Sequence, residues 1–467
     1  MCAVMLLAAL VLTAAACLRS AEYDEQYTLF LTAGTPRPGW PETVFPAGTV
    51  AAVQAGHASL AGIAQDLRAT DVHPPLYFWA VSVWRRMFGP GLFAARMMSV
   101  LCGLVSLSMV GMIARRCAVG PVPAMLLTLG CYGFVYTNAI ARGFAPAQML
   151  TLCGIVLLLG RRPLLAGAFL GVACCCNYLA VFVAVAAVIV GGAWPALPTA
   201  VPFLAVDAWF FVAQHAARPG QFPPFTVGPS LVRLAGYEVA GVFGGLPLYV
   251  DGGWRVAVGA IVGALAAGLV VLVALSRPLS AGPAIRLVLA AAVAPPFGLL
   301  LLGAAFNNTP IELRYLSFGL PFIALLAAWV CRSHRCRCIV MAVQFAAILG
   351  LLLAPRTMQP ARAAATEAAR LVGDGIVLLP RGNDGVGIVG AFGIEAPPAL
   401  PLLLVRPTDP IFDRVAPYRR VVLAQLSHDP DSSATLPILR AAFARPNWRR
   451  VAIGSNLEVY ERTDDGG

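Results

Sequence analysis

The sequence predicts an all-α polytopic membrane bundle of about 11–13 transmembrane helices, followed by a small C-terminal α/β extracytoplasmic domain. Three observations carry this. The 467 residues are 59% hydrophobic and only 12% charged, with a mean hydropathy of +0.79, whereas a soluble domain is about 25% charged. The apolar residues come in continuous blocks of about 17–23 residues, the length that crosses a bilayer, and they do not alternate as the strands of a β-barrel do. From about residue 356 the blocks give way to short mixed segments, the pattern of an α/β domain.

The first block, about 2–18, could pass for a signal peptide, and "AAACLRS" resembles a lipobox. It lacks a basic leading region, so an uncleaved first span is the natural reading. Residues 19–73 form a long polar stretch whose piece "AAVQAGHASLAGIAQDL" predicts an interfacial helix. Residues 75–89 are apolar but short, fit to lie at the interface or to cross at a tilt. Blocks follow at about 92–114, 121–139, 146–160, 163–176, 178–193 and 197–213. A second long loop, about 214–254, holds His215, Arg218, Gln221, Arg233 and Glu238, with an apolar stretch at 234–250. The last blocks are about 256–276, 285–303, 315–331 and 338–354.

Arginine placement orients them. The Arg115–Arg116 and Arg161–Arg162 pairs, Arg277, Arg286 and the basic "CRSHRCRC" close blocks on one side, which the positive-inside rule makes cytoplasmic. The resulting scheme has the N-terminus inside and the C-terminus outside. It puts the 19–73 loop, the Arg142 loop and "NNTPIELRY" (307–315) on one outer face. If 75–89 and 234–250 both cross, two spans are added. The domain division is 1–355 for the membrane part and 356–467 for the tail. In the tail, "TEAARLV" predicts a helix, and "GIVLLP", "LPLLLVR", "RRVVLAQL", "WRRVAIG" and "LEVYER" predict strands. "GNDGVGIVG" lacks the strand–Gly-x-Gly-x-x-Gly–helix frame of a dinucleotide site.

The net charge is +11 and every basic residue other than the histidines is Arg. Because the arginines sit at block ends, the charge points to membrane lipids and not to nucleic acid. Richness in Ala, Gly, Arg and Pro without Lys is the composition of a GC-rich bacterial genome. Most of the twelve cysteines lie inside apolar blocks, where Cys acts as a small hydrophobe. In "CRSHRCRC" the spacing of Cys331, His334, Cys336 and Cys338 fits no standard zinc pair, and a basic loop is the favoured reading.

Candidate functional residues cluster on the outer face. Asp24 and Glu25 follow the first span in "AEYDEQYTLF". Alone they read as first-turn acids of a helix; functionally they offer a general base or ligands for a divalent cation. In "DVHPPL" Asp71 reads as an N-terminal helix residue and the prolines suit a helix start, which leaves His73 unexplained. The Asp71 and His73 side chains would be held rigidly there. Arg142 in "NAIARGFAPAQML" and Arg314 in "NNTPIELRYLSFGLP" are arginines without a positive-inside reason. Each could cap a helix or snorkel, or bind a phosphate through its planar fork. Asn307, Asn308 and Glu312 accompany Arg314. Acids, a His and isolated arginines at a membrane surface suit a lipid-linked phosphosugar.

"YDEQYTL" followed by "DVHPPLYFWAVSVWRRMFGPGLFAARMMSVLCGL" resembles the family 39-type glycosyltransferases of the GT-C superfamily, which include protein O-mannosyltransferases, lipid A aminoarabinose transferases and bacterial galacturonosyl transferases. The matching residues are Asp24-Glu25, His73-Pro74-Pro75-Leu76-Tyr77, Phe88-Gly89 and Arg96, with "ARGFAPAQML" and "LRYLSFGLPFIALL" resembling later segments. The resemblance covers roughly 1–354 and is strongest in 20–110. It implies a GT-C fold and a membrane enzyme that takes sugar from a polyprenyl-phosphate donor to a hydroxyl of a glycan, lipid or protein acceptor, with inversion. On that implication Asp24 is the base, Glu25 and Asp71 support it, and His73, Arg142 and Arg314 contact the donor phosphate. Tyr77 and Glu312 complete the substrate-binding set. Some relatives place a Lys near the donor phosphate, and this chain has none. No cofactor is implied with certainty, and a divalent cation stays open. The competing classes are a flippase for a lipid-linked glycan and a non-catalytic scaffold. A transporter would favour ionisable groups at mid-membrane, and here Asp207 is the main one.

Overall fold

The structure is a computed structural model that describes residues 1–215, 223–244, 253–353, 360–382, 384–427, 429–454 and 456–463. The chain divides into two compact units: Met1–Leu18, Ala64–Ala80 and Ala95–Pro355 form the first, and Arg19–Ile63, Val81–Ala94 and Arg356–Gly467 the second.

The first unit is a bundle of helices. Among the described residues, five helices are long and apolar enough to cross a bilayer: Leu92–Arg116, Trp194–Gln214, Trp254–Ser280, Pro283–Phe306 and His334–Leu353. Five shorter apolar helices lie beside them in the sequence: Pro121–Gly130, Phe144–Leu159, Pro163–Cys176, Ala180–Val190 and Leu320–Val330. Large apolar side chains face outward from the bundle, Val256 being 81% and Leu275 74% exposed. Such a surface suits lipid, where backbone groups must pair within the helices. The fold is thus a polytopic helical bundle with a small sheet-containing unit, as the composition predicts.

One predicted block is broken. Residues 121–139 form two helices, Pro121–Gly130 and Tyr132–Asn138, separated at Cys131 in extended conformation. The Cys131 amide bonds the Thr128 carbonyl at 3.1 Å. The Leu127 carbonyl, which a continuous helix would have paired with that amide, accepts from Gln344 Nε2 at 3.2 Å instead. Gln344 Nε2 also reaches the Val242 carbonyl at 3.2 Å. A polar side chain inserted into the ladder is a known cause of such breaks.

The second unit is a three-layer α/β structure. Among the described residues its six strands are β1 (Phe45–Pro46), β2 (Ile376–Pro380), β3 (Pro401–Val405), β4 (Arg420–Ala424), β5 (Trp448–Ile453) and β6 (Leu457–Arg462). Their order is β1-β3-β2-β4-β6-β5. β3, β2 and β4 are parallel, and the other pairings are antiparallel. Alternate residues of β2 go to opposite faces. Val377 and Leu379 join a core with Phe30, Val50 and Phe392, and Ile376 and Leu378 join another with Leu436, Leu439 and Phe443. Burial on both faces explains why "GIVLLP" reads as a continuous apolar run.

Every tail strand read from the sequence is present. The strand it did not reveal, β1, comes from the 19–73 stretch, which also contributes the helices Tyr23–Ala33 and Gly48–Gln54. The piece read as one interfacial helix is two, Gly48–Gln54 and Leu60–Thr70.

The glycines of "GNDGVGIVG" have a packing role. The helix Gly387–Glu395 carries Gly387, Gly390 and Gly393 at spacing three. A Cβ on Gly387 would fall 2.2 Å from the Tyr23 ring, one on Gly390 2.7 Å from Gln26, and one on Gly393 2.4 Å from Val50. Only a bare glycine face lets this helix pack so close.

Candidate active site: an Asp–His–Arg cluster in the helical unit

The helix Leu60–Thr70 ends at the opening of "DVHPPL". The Asp71 amide still bonds the Leu67 carbonyl, at 3.1 Å. The chain then turns, and Asp71 Oδ1 accepts the Val72 amide at 2.7 Å. The next helix begins at Pro75, where a missing N–H has no cost. Gln214 clamps the turn: its Nε2 donates to the carbonyls of Leu67 at 3.0 Å and His73 at 2.8 Å. Its Oε1 accepts the Tyr178 hydroxyl at 2.8 Å.

This turn holds an imidazole between opposite charges. Asp71 Oδ1 lies 2.8 Å from His73 Nδ1, and Arg142 Nη2 lies 3.1 Å from His73 Nε2. A carboxylate only accepts and a guanidinium only donates. The arrangement therefore fits the tautomer with the proton on Nδ1, donated to Asp71, and Nε2 accepting from Arg142. Burial acts to raise the Asp71 carboxyl, but His73, then Arg142 and the Val72 amide outweigh it and hold it well below the usual carboxylate range. The His73 side chain remains 18% exposed.

Arg142 is placed by its own loop. It follows the helix Tyr132–Asn138, and the Ile140 carbonyl accepts both the Arg142 amide at 3.0 Å and the Ser99 hydroxyl at 2.7 Å. A Cβ on Gly143 would lie 2.5 Å from the Cys176 carbonyl and 3.3 Å from Tyr77, so the loop can lie here only with glycine after the arginine. The guanidinium stands 6.0 Å from the Phe78 ring centroid, within cation–π range. Tyr77, 1% exposed, packs edge-on to Phe78.

A second charged group forms around residues 307–316. Arg314 pairs with Glu312 at 2.5 Å, and Arg233 Nε donates to the Ile311 carbonyl at 2.9 Å. Burial pushes the Glu312 carboxyl up to about 7 against the pull of Arg233. Arg314 stands 5.4 Å from the Tyr315 ring centroid, and burial raises the Tyr315 phenol against the pull of Arg314.

The structure thus brings together Asp71, His73, Tyr77 and Arg142, and separately Glu312 and Arg314. Asp24 and Glu25 belong to the second unit, in the first turn of Tyr23–Ala33. There Glu25 Oε2 accepts the Glu22 amide at 3.0 Å in a capping box. Glu22 also pairs with buried Arg19. Among the described residues, no group of three or more His, Cys, Asp or Glu side chains is placed to hold a metal ion. In "CRSHRCRC", Cys336 and Cys331 approach at 3.0 Å and Cys338 lies 3.4 Å from His334.

Sequence reasoning missed Gln214, Tyr178 and Gly143 as parts of this site. Gln214 carried a signal, being an uncharged polar residue ending an apolar block. Of the second long loop, Arg233 and Glu238 are placed, whereas Arg218, Gln221 and the His215 side chain lie outside the described residues.

The bundle with its small sheet-containing unit is a fold already seen in solved structures. Two solved structures share it: ArnT from Cupriavidus metallidurans bound to undecaprenyl phosphate, with a TM-score of 0.51, 13% identity and coverage of 99% of this chain and 98% of that one, and the same protein in the apo state, with 0.52, 13%, 98% and 96%. No family model and no curated protein sequence matches the chain.

Proposed function

We propose that the chain is an integral glycosyltransferase of the inner (plasma) membrane. It moves a sugar from a polyprenyl-phosphate donor to a hydroxyl of a glycan, lipid or protein acceptor, with its site and α/β unit extracytoplasmic. The observation that carries this reading is a fold shared over 99% of the chain with a protein crystallised with undecaprenyl phosphate. The Asp71–His73–Arg142 cluster supports it, since a guanidinium held against an imidazole suits a phosphate leaving group.

In the proposed reaction the Asp24 carboxylate takes the proton of the acceptor hydroxyl. The oxygen forms its bond to the anomeric carbon from the face opposite the phosphate. The bond from that carbon to the phosphate oxygen breaks, and the electron pair leaves with the polyprenyl phosphate. Arg142 and Arg314 stabilise the charge that develops there. Asp71 is a poor base, because its carboxyl is held ionised by the groups around it. Its role is to set the His73 tautomer so that Nε2 supports Arg142. Glu25 supports Asp24 through the capping box that starts the helix. Tyr77 packs against the Arg142 loop, and Glu312 holds Arg314.

The test is a transfer assay in membranes with a panel of polyprenyl-phosphate sugars. Asp24→Asn is expected to lower transfer by about 10²–10⁴-fold, the range of general-base catalysis. Undiminished transfer by that variant would remove Asp24 as the base. Absence of transfer by the wild type with every donor would overturn the transferase reading in favour of a flippase or scaffold.

A further inference from the structure

The second unit contains a cavity of about 420 Å³ that the proposed transfer chemistry does not use. It lies beyond the carboxyl ends of the parallel strands β2 and β3. Arg381 and Gly382 follow β2, Arg406 and Thr408 follow β3, and Thr435 comes from the helix Pro430–Ala442, which follows β4. β3 and β4 flank β2 on opposite sides, so the chain reverses its direction of strand addition here. Ligands of open α/β sheets bind at the carboxyl ends of strands near such reversals. The volume is within the range of small-molecule pockets.

The lining has a definite chemistry. Three arginines, Arg37, Arg381 and Arg406, face two aspartates, Asp384 and Asp431. Asp384 is engaged by four donors: the hydroxyls of Tyr23 and Tyr27 on Oδ2, and the amides of Val386 at 2.8 Å and Gly387 at 3.3 Å on Oδ1. Asp409 accepts the Arg406 backbone amide at 3.0 Å, and its ion pair is with Arg414. The cavity therefore presents an excess of guanidinium groups. The Thr408 hydroxyl stands beside them, while the buried Thr435 hydroxyl donates to the Asp431 carbonyl at 2.7 Å. Arginine forks recognise planar or tetrahedral anions, and hydroxyls with an aspartate recognise sugar hydroxyls. Gly382 adopts φ +74°, a left-handed turn at the rim that favours glycine.

We propose that this cavity is a binding site for an anionic monosaccharide unit, a sugar bearing a phosphate monoester or a carboxylate. Arg381 and Arg406 hold the anion, and Thr408 and Asp431 hold the hydroxyls. That such a unit belongs to the acceptor rests on the transferase reading; the binding itself does not.

The test is isothermal titration of the full-length protein in detergent with glucose 1-phosphate, glucuronate and glucose. At least one anionic sugar is expected to bind saturably and glucose to bind at least tenfold more weakly. Arg381→Ala and Arg406→Ala should each weaken the anion by about tenfold, the scale of a lost charge-assisted hydrogen bond. Arg449→Ala, on exposed β5, serves as the control and should leave binding unchanged. Preference between the two anions tells phosphate from carboxylate. Equal binding of glucose, binding of none of the three, or unaltered affinity in both folded cavity variants overturns the proposal. Because the readout is binding, it stands or falls apart from the transfer assay.

Discussion

Asp71 and His73 act as a unit because neither is placed alone. Burial makes an isolated carboxylate costly, and the imidazole and guanidinium offset that cost. Removing one partner of such a group leaves the others uncompensated, at about 3–5 kcal/mol. Asp71→Asn is therefore expected to lower the melting point of the purified protein and to weaken donor use together. A carboxyl depressed in the folded state adds stability above its unfolded value, about pH 4, and loses it only on acidification. The gap between wild type and variant should stay constant from about pH 5 to 8 and close below about pH 4. A gap that grows with acid would refute the assignment. Glu312 behaves in the opposite sense. Its carboxyl is raised to about 7 by burial, so folding holds its proton more tightly than the unfolded chain does. Stability then falls as pH rises from about 4 to 7. Glu312→Gln should flatten that fall in melting curves at pH 5 and 8, and identical slopes in the two proteins would count against it.

At the scale of elements, two short runs decide geometry through the absence of side chains. Gly143 lets the Arg142 loop approach the Cys176 carbonyl. The glycine face of Gly387–Glu395 lets that helix lie on Tyr23–Ala33 and Gly48–Gln54. Gly390→Leu would place a branched side chain where Gln26 lies 2.7 Å from the added Cβ. Overpacking of this kind costs about 1–3 kcal/mol, and limited proteolysis should then cut within 19–63 and the tail together. Resistance equal to wild type would show that the helix can shift without loss. Arg85 ties the same unit. It is 1% exposed, and it donates to the Gln54 carbonyl at 2.6 Å, the Leu29 carbonyl at 3.1 Å and the Thr32 hydroxyl. Charge alone does not tell an anchor in headgroups from an arginine satisfied inside a fold.

At the scale of the molecule, the 19–63 segment and the tail share one core. Phe30, Trp40, Phe45 and Val50 pack with Val377, Leu379, Phe392 and Leu402. Residues 356–467 expressed alone should accordingly lack a cooperative melting transition, and adding 19–63 by fusion should restore it. A sharp transition from the tail alone would show that the shared core is dispensable. The sequence by itself determined the membrane bundle, the five tail strands and which acids and arginines stand out from the apolar blocks. Each of these is written in local composition: apolar runs of spanning length, β-rich runs between turn residues, and charges at block ends. It also marks Asp71, His73 and Arg142, and the family resemblance adds Tyr77. Only the tertiary structure decided that Gln214 and Tyr178 fasten the His73 turn, that Gln344 breaks a span, and that the first loop supplies an edge strand to the tail. Those pairings join residues up to several hundred positions apart. Local pattern carries no record of such distance, because the partner that satisfies a buried amide or carbonyl is chosen by the fold and not by the neighbouring chain.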